Sequence, residues 1–154
     1  IMQELKSTGA KFILDTRKKY LEYGLEMKPF LVKPNKDELE EIFGVFIETK
    51  EDIEKYAKKL QQFGAENVLV SLGKDGAMLL DSNGKVHYQN APKGKLINSV
   101  GAGDSMVAGF LAGYIQSDGN YEEALKTGVA AGSASAFSRL LATKEEIIQI
   151  KQNI

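Results

Sequence analysis

Short apolar runs alternate with amphipathic segments along the first half of the chain. Within the amphipathic segments, apolar residues recur every three or four positions, as they do on the buried face of a surface helix. The apolar runs between them are uninterrupted, which is typical of strands buried on both faces of a parallel sheet. The runs predicted to be strands are Lys11–Asp15, Phe30–Lys33 and Asn67–Leu72.

Polar residues and glycines mark where the helices begin and end. A short polar side chain followed three residues later by Glu or Asp predicts a capping box, and glycine commonly follows the last helical turn. We expect Gly24 to end one helix and Gly64 to end another. The predicted helices are Met2–Thr8, Thr16–Tyr23, one that opens at Asn35 with an apolar stripe to Phe46, one from Thr49 to Phe63, Ser105–Ile115, Tyr121–Leu141 and a last one capped by Thr143 and Glu146.

A different pattern follows the third predicted strand. Ala77–Leu80 and Val86–Gln89 are strand-like runs separated by a turn that contains Asn83-Gly84, which is a strong signal for a β-hairpin. A hairpin adds antiparallel strands at the edge of an otherwise parallel sheet. The whole pattern predicts a three-layer α/β fold with a largely parallel sheet, an antiparallel hairpin edge and a single domain over residues 1–154.

The composition narrows the functional classes. Hydrophobic residues make up 43% and charged residues 27% of the sequence, and the formal net charge is −1. There is no basic excess for nucleic acid or an anionic membrane, and no apolar run is long enough to span a bilayer. Cysteine is absent, which excludes disulfides and thiolate metal sites and fits a cytoplasmic protein. His87 is the sole histidine, so no histidine-based zinc site or Ser–His pair is expected, and we predict that it lies exposed on a strand.

One stretch, Asn98–Phe110, combines glycines with a carboxylate. It reads Asn-Ser-Val-Gly-Ala-Gly-Asp-Ser-Met-Val-Ala-Gly-Phe. Gly101 and Gly103 allow a sharp turn, and a helix that begins at Gly103 or Asp104 would direct its first free N–H groups at a phosphate. Asp104 could accept the proton of an attacking hydroxyl at that turn. The alternative is an ordinary loop in which Asp104 caps the helix.

Two further polar patterns have both a structural and a functional interpretation. Asn35 and Glu38 have the spacing of a capping box, and the same spacing recurs at Asn120 and Glu123, where nothing suggests chemistry. Ser71–Gly76 follows a buried strand at its carboxyl end, where ligands bind in open α/β sheets. A glycine turn into the next strand explains that segment as well.

The full length of Asn98–Phe110 resembles the C-terminal signature of the PfkB, or ribokinase-like, carbohydrate kinases. It is most similar to the branch of that family that phosphorylates fructose 1-phosphate, where Asn-Ser-Val-Gly-Ala-Gly-Asp-Ser-Met is the usual spelling. A Walker-type P-loop, the other common phosphate-binding motif, does not occur in the sequence. The resemblance covers the chain as the C-terminal half of such a kinase, so we expect a nucleotide-binding half without the N-terminal sugar-binding and lid half.

The resemblance implies transfer of the γ-phosphoryl group of ATP to the 6-hydroxyl of fructose 1-phosphate, which gives fructose 1,6-bisphosphate. Tagatose 6-phosphate and fructose 6-phosphate stay open as substrates, and the chain by itself could be a nucleotide-binding domain without catalysis. ATP and Mg²⁺ are the implied cofactors, together with room for a monovalent cation. The implied partners are the sugar phosphate, ATP and a second subunit in a homodimer, with no nucleic acid and no membrane.

The same resemblance assigns roles to individual residues. Asp104 would be the catalytic base, and Asn35 and Glu38 would organise Mg²⁺ through water. The backbone N–H groups that would hold the transferring phosphoryl group are those of Gly101, Ala102, Gly103 and Asp104. The residues implied to bind the nucleotide are Lys33, Asn35, Ser71, Gly73, Lys74, Gly76, Val129 and Ser133, of which Val129 and Ser133 would line the adenine pocket.

Overall fold

The structure is a computed structural model that describes residues 8–16 and 18–154. Its strands are β1 (Ile13–Leu14), β2 (Leu31–Val32), β3 (Asn67–Ser71), β4 (Ala77–Leu80) and β5 (Val86–Gln89). Its helices are α1 (Lys18–Glu26), α2 (Lys36–Phe43), α3 (Lys50–Gln62), α4 (Ala102–Gln116), α5 (Tyr121–Ala136) and α6 (Lys144–Gln152). The helix predicted over Met2–Thr8 lies, except for Thr8, outside the described residues. Within the described ranges, no helix is both long enough and apolar enough to cross a membrane.

The five strands form one sheet in the order β1-β2-β3-β4-β5. The first three run parallel, with Ile13 opposite Leu31 and Leu31 opposite Asn67. The short connections Leu72–Gly76 and Asp81–Lys85 join β3 to β4 and β4 to β5. Because parallel neighbours need a crossover of about a dozen residues or more, these connections join antiparallel strands. The predicted mixed α/β fold with an antiparallel edge is confirmed, and the antiparallel part begins at β4.

The described chain divides into two compact units. The first unit comprises the described residues up to Ser71 together with Leu79–Val86, and the second comprises Leu72–Met78 and His87–Ile154. Each unit has its own set of fully buried apolar side chains. In the first unit these include Leu31, Leu39, Leu60, Val68, Leu69, Val70, Leu79 and Leu80, and in the second Met78, Phe110, Val129 and Ala130.

In the second unit, α4 and α5 pack closely because both present glycines at the contact. A Cβ added to Gly109 would lie 2.6 Å from the Cβ of Ala131 and 2.8 Å from the carbonyl oxygen of Thr127. A Cβ added to Gly128 would lie 3.0 Å from the carbonyl oxygen of Met106. The small residues that fill the interior of both helices therefore serve this contact, since any larger side chain would force the helices apart.

Two predicted helix ends in the first unit are wrong. α1 runs past Gly24, and a Cβ on Gly24 would collide with the side chain of Leu14 in β1, so this glycine serves close packing rather than termination. α2 ends earlier than its apolar stripe suggested, because Gly44 turns the chain with a left-handed φ of 64°. Phe46 therefore lies beyond the helix and is 90% exposed.

α5 ends at Ala136 instead of continuing to Leu141 as predicted. The carbonyl oxygen of Ala136 accepts hydrogen bonds from the N–H groups of Ile97 (2.9 Å) and Asn98 (3.1 Å). α5 therefore does not continue past this carbonyl, and its last turn is instead hydrogen-bonded to the segment that leads into α4.

His87 is buried, which contradicts the prediction that it is exposed. Its side chain on β5 is 6% exposed, and its Nδ1 lies 3.6 Å from a carboxylate oxygen of Glu122 in the first turn of α5. Its ring centroid is 6.4 Å from that of Tyr121. The alternation along a short strand did not reveal this burial, because it depends on the start of a helix far along the chain.

Candidate active site

The turn that leads into α4 is built around Gly101. Its backbone has a left-handed φ of 79°, which glycine adopts without strain, and it precedes the first helical residue, Ala102. Asp104 is therefore the third residue of the helix. The alternative in which Asp104 caps the helix is wrong, and the predicted start at Gly103 or Asp104 is one or two residues late.

Three backbone N–H groups at this turn have no acceptor among the described residues. They belong to Gly101, Gly103 and Asp104. The fourth group predicted to hold a phosphoryl group, the N–H of Ala102, donates to the carbonyl oxygen of Ser99 at 3.2 Å. Free donors at the positive end of a helix dipole attract an anion, so the turn offers a site for a phosphate.

The carboxylate of Asp104 is exposed beside these donors. It makes no hydrogen bond or ion pair with any residue that the structure describes. A carboxylate in this position is free to accept a hydrogen bond, and then a proton, from a hydroxyl that approaches an anion held at the turn. The geometry thus combines an anion site with a proton acceptor on one helical turn.

The segment after α5 supports the turn. The side chain of Asn98 accepts a hydrogen bond from the N–H of Val100 at 3.0 Å and donates one to the carbonyl oxygen of Arg139 at 3.3 Å. A Cβ on Gly101 would lie 2.8 Å from Cδ2 of Leu141. The backbone conformation of Gly101 favours glycine, whereas the exposed side chain of Leu141 could move away from a Cβ.

α5 packs against the first turn of α4. A Cβ on Gly132 would lie 3.1 Å from the carbonyl oxygen of Ala102. Val129, one of the two residues expected to line an adenine pocket, is completely buried, whereas Ser133 is partly exposed. In this structure, only Ser133 of that pair offers a surface to a ligand.

The connection between β3 and β4 forms a 3₁₀ turn over Gly73–Asp75, in which the N–H of Gly76 donates to the carbonyl oxygen of Gly73 (3.2 Å). The N–H of Leu72 donates to the carbonyl oxygen of Gly76 (2.8 Å) and closes the connection at its base. Gly73 has φ 59° with open space around it, and Lys74 is exposed. Gly76 has φ 96°, and a Cβ there would collide with the carbonyl of Gln89. Packing against β5 accounts for Gly76, while Gly73 and Lys74 stay accessible.

In the first unit, Lys33 lies at the carboxyl end of β2. It is 7% exposed, and its ammonium group is 3.4 Å from Oδ2 of Asp15, which follows β1 directly. A cleft of about 250 Å³ opens there, and Lys33 and Glu38 are among its lining residues. Asp15 was not among the predicted site residues. Its place after a strand that pairs in parallel with β2 was the available signal, since such strand ends meet at one edge.

Asn35, Glu38 and Ser71 come together in the same unit. Oδ1 of Asn35 accepts from the N–H of Glu38 (2.7 Å), and Oε2 of Glu38 accepts from the N–H of Asn35 (2.9 Å), so the predicted capping box is confirmed. An isolated parallel bridge joins Asn35 to Ser71. The box fixes both side chains at the start of α2.

Asn35 and Glu38 at the start of α2 are the residues expected to organise Mg²⁺ through water. Among residues 8–16 and 18–154, no group of three or more His, Cys, Asp or Glu side chains is arranged to hold a metal ion. Oε1 of Glu38 has no partner in the described part of the chain, so it can accept a hydrogen bond from a metal-bound water. This donor set fits Mg²⁺, which keeps several waters and binds largely through phosphate oxygens.

Known proteins are similar to this chain in sequence and in fold. Residues 3–147 match the family described as pfkB family carbohydrate kinase. The chain is 50% identical over 150 residues to a 1-phosphofructokinase of Bacillus subtilis (strain 168), a match that covers 97% of this chain and 49% of the relative. It is 39% identical over 145 residues to a D-tagatose-1-phosphate kinase of Bacillus licheniformis, with 94% and 47% covered. The crystal structure of phosphofructokinase-2 from Escherichia coli in complex with potassium matches with a TM-score of 0.89 and 30% identity, over 99% of this chain and 50% of that one.

The chain belongs to the PfkB family of carbohydrate kinases. The family predicted from Asn98–Phe110 is therefore confirmed. The chain spans about half the length of the curated relatives it matches.

Proposed function

We propose that this chain is the nucleotide-binding and phosphoryl-transferring part of a sugar-phosphate kinase. The kinase passes the γ-phosphoryl group of ATP to the 6-hydroxyl of fructose 1-phosphate and gives fructose 1,6-bisphosphate. The observation that carries the proposal is the start of α4, where three free N–H groups and the exposed carboxylate of Asp104 share one helical turn. The 50% identity to a 1-phosphofructokinase supports the choice of substrate.

In this proposal the protein contributes position and charge more than covalent chemistry. The free N–H groups of Gly101, Gly103 and Asp104 hold the transferring phosphoryl group and stabilise its charge. The carboxylate of Asp104 accepts the proton of the attacking hydroxyl as the new O–P bond forms and the bond to the ADP leaving group breaks. Asn35 and Glu38 would hold Mg²⁺ through its water shell, and the bound ion would supply neutralisation of phosphate charge.

The other residues of the proposed nucleotide site, some of which shape it without touching the ligand, are Lys33, Ser71, Gly73, Lys74, Gly76, Val129 and Ser133. Gly73 and Lys74 are accessible, so the backbone of Gly73 and the ammonium of Lys74 can meet phosphate or ribose. The side chain of Val129 is buried, so in this proposal Val129 contributes by shaping the helix that carries Ser133. A monovalent cation is part of the proposal, and the E. coli phosphofructokinase-2 structure in complex with potassium supports it.

The sugar phosphate is the least constrained part of the proposal. A relative at 39% identity is a D-tagatose-1-phosphate kinase, and a structural neighbour is a phosphofructokinase, so tagatose and fructose phosphates are the competing substrates. We propose that the residues that choose among them lie largely outside this chain, which spans about half of its relatives. A panel of fructose 1-phosphate, fructose 6-phosphate, tagatose 1-phosphate and tagatose 6-phosphate would separate them by kcat/KM.

The proposed protein acts in the cytoplasm as a homodimer.

A second candidate is a nucleotide-binding domain without catalysis. The half-length match favours it for this chain taken alone. Isothermal titration of the chain with ATP and Mg²⁺ tests the nucleotide site that both candidates require, and phosphorylation of fructose 1-phosphate by the same sample separates them. We expect saturable binding of ATP.

The matched variants are Gly103→Val and Ala108→Val. Both place a β-branched side chain on α4, but Gly103 carries one of the free N–H groups whereas Ala108 is exposed further along the helix. Gly103 does not have a positive φ, so valine is conformationally allowed there. Gly103→Val keeps the backbone N–H, but its side chain would crowd the position where the phosphate is proposed to bind. We therefore expect Gly103→Val to abolish ATP binding and Ala108→Val to leave it unchanged. A folded chain that does not bind ATP, or a Gly103→Val variant that binds ATP as tightly as the unaltered chain, would refute the proposed site.

A further inference from the structure

Ser135, near the end of α5, connects three segments of the second unit. Its hydroxyl donates to Oγ of Ser105 in α4 at 2.8 Å and accepts from the N–H of Ala142 at 3.2 Å. Ser135 itself is 3% exposed, and both hydrogen bonds are partly buried. A single buried hydroxyl thus ties the end of one helix to the start of another and to the segment that follows.

Ser105 is the residue after Asp104. Its N–H makes the first hydrogen bond inside α4, to the carbonyl oxygen of Gly101, at 2.9 Å. The backbone that carries the free N–H groups is therefore fixed at Ser105 from two sides. One is the helix itself, and the other is the hydroxyl of Ser135.

The two helices also touch one turn away from this hydrogen bond. Gly132 lies against the carbonyl of Ala102, where a Cβ would come within 3.1 Å, and Gly132 and Ser135 are three residues apart, as are Ala102 and Ser105. Residues three apart share a helix face, so the glycine contact and the serine hydrogen bond form one continuous interface. Any displacement of this end of α5 changes the position of the first turn of α4.

The second hydrogen bond of Ser135 reaches the opposite side of the turn. Ala142 follows Leu141, whose side chain lies against Gly101, 2.8 Å from the position of a Cβ. By holding the N–H of Ala142, Ser135 fixes the residue next to the one that packs on the turn. The O–H of Ser135 therefore acts on the side of the turn that belongs to α4, and its oxygen, as an acceptor, acts on the side of the segment that follows α5.

We propose that Ser135 is a positioning residue, whose hydroxyl holds the Gly101–Asp104 turn in its anion-binding conformation. It touches neither nucleotide nor sugar and acts through Ser105 and Ala142. This inference rests on the proposed function for its consequence, ATP binding, but its structural claim stands on these hydrogen bonds. Ser135→Ala leaves the hydroxyl of Ser105 and the N–H of Ala142 without this partner and hardly changes the packed volume.

The test compares Ser135→Ala with Thr127→Val. Thr127 is also a buried α5 residue at the α4 contact, and its hydroxyl donates to the carbonyl oxygen of Glu123 in its own helix at 2.7 Å. Each substitution removes one buried hydroxyl, but Thr127 faces Gly113, at the other end of α4. Amide hydrogen exchange by NMR, the melting temperature and ATP affinity are measured for both variants and for the unaltered chain.

We expect similar losses of melting temperature in the two variants. In Ser135→Ala alone, the amides of Ser105 and Ala142 exchange faster, and ATP affinity falls by about fivefold, the equivalent of one net hydrogen bond. Thr127→Val keeps the protection of those amides and an ATP affinity within about twofold. If Ser135 had a purely structural role, Ser135→Ala would lower the melting temperature without differing from Thr127→Val in amide exchange or ATP affinity.

Three results would overturn the inference. The first is that the amides of Ser105 and Ala142 stay protected in Ser135→Ala. The second is that ATP affinity falls no further in Ser135→Ala than in Thr127→Val. The third is that both variants change the exchange of the two amides equally. If the unaltered chain does not bind ATP, the proposed function fails, and the inference is then judged on the two amides alone. If Ser135→Ala does not fold, Ser105→Ala removes the same interhelical hydrogen bond from its less buried end. It leaves the hydrogen bond from Ala142 to Ser135 in place, so it is judged on the amide of residue 105 and on ATP affinity, with Ala142 expected to keep its protection.

Discussion

The ammonium group of Lys33 lies 3.4 Å from the carboxylate of Asp15, and the two side chains differ sharply in exposure, at 8% for Lys33 and 39% for Asp15. A charge as buried as that of Lys33 needs a partner, because an unpaired ion in a protein interior is strongly destabilising. Asp15 is its ion-pair partner within the described ranges. The pair thus fixes a cation beside the cleft that Glu38 also lines.

Asp15→Asn should lower the free energy of unfolding by about 1–2 kcal/mol at pH 7, below the value for a fully buried pair because Asp15 is partly in water. Urea denaturation measures this change. Glu22→Gln is the control, since Glu22 is an exposed carboxylate on α1 without a hydrogen bond or ion pair in the described part of the chain.

A double-mutant cycle separates pairing from packing. Lys33→Met removes the buried charge and keeps the length of the side chain, so Asp15→Asn should cost almost nothing in that background. Equal costs of Asp15→Asn with and without Lys33 would show that the carboxylate stabilises the protein in some other way.

Gly109→Ala gives a prediction whose sign distinguishes two physical effects. Helix propensity favours alanine over glycine by about 1 kcal/mol inside a helix. The contact between α4 and α5 opposes it, because the new Cβ would lie 2.6 Å from Ala131 and 2.8 Å from the carbonyl oxygen of Thr127. Since the backbone oxygen cannot move aside cheaply, we expect a net loss of about 1–3 kcal/mol in the free energy of unfolding.

The control for this prediction is Ala108→Gly on the exposed side of the same helix. It should cost about 1 kcal/mol from propensity alone. Thermal or urea unfolding gives both values. A Gly109→Ala variant that is more stable than the unaltered chain would mean that α4 and α5 separate easily.

Elements set by local chemistry could be predicted from the sequence. The strands of the hairpin have the predicted bounds, and the capping boxes at Asn35 and Thr49 form as their spacing indicated. Each depends on residues within a few positions of one another. The start of α4 was predicted one to three residues late, at Gly103, Asp104 or Ser105, and the error is small because the left-handed turn at Gly101 is a local event.

Features that depend on distant contacts could not be predicted. Gly24 reads as a helix end, but its role is decided by Leu14 on a neighbouring strand. Asn120 and Glu123 have the spacing of a capping box, yet Asn120 only accepts hydrogen bonds from the N–H groups of the first turn. Glu123 instead lies 2.8 Å from the ammonium group of Lys151 in α6.

The candidate site divides in the same way. The Gly101–Asp104 turn and its exposed carboxylate follow from a contiguous motif, so they could be predicted from the sequence. Asp15 and Ser135 act through partners that lie far away in sequence, Lys33 for one and Ser105 for the other. A pattern of single residues carries no mark of such partners, and only the fold brings them together.

Acidification should release α6 before the rest of the second unit. This helix has no buried residue, and two carboxylates hold it. A hydrogen bond from Lys151 lowers the pKa of Glu123 below its ordinary value of 4.5, and hydrogen bonds centred on Thr143 lower the pKa of Glu146 likewise. A lowered folded pKa means that the stabilisation is complete above about 4.5 and is lost as the pH falls through the folded value.

Amide hydrogen exchange of α6 and α4, followed from pH 7 down to acid, measures this release. In Glu123→Gln the contribution of the Lys151 pair is absent at every pH, so α6 should be less protected at pH 7 and change less on acidification. Loss of protection in α4 and α6 at the same pH would contradict the prediction, because it would mean that the unit unfolds as a whole.

Asp104→Ala should separate binding from chemistry. In the proposed kinase, we expect loss of phosphoryl transfer to fructose 1-phosphate, because no other carboxylate shares the turn with the free N–H groups. ATP affinity should stay within about tenfold, or 1.4 kcal/mol, since the N–H groups that hold the phosphate belong to the backbone and remain. Coupled-enzyme assay of turnover and titration with ATP measure the two effects on one preparation.

Glu145→Ala is the matched control, as Glu145 is an exposed carboxylate in the first turn of α6 and its substitution should leave turnover unchanged. Loss of ATP binding in Asp104→Ala would instead make Asp104 a residue that holds the nucleotide or the fold, and retained turnover would remove it from the proton transfer altogether.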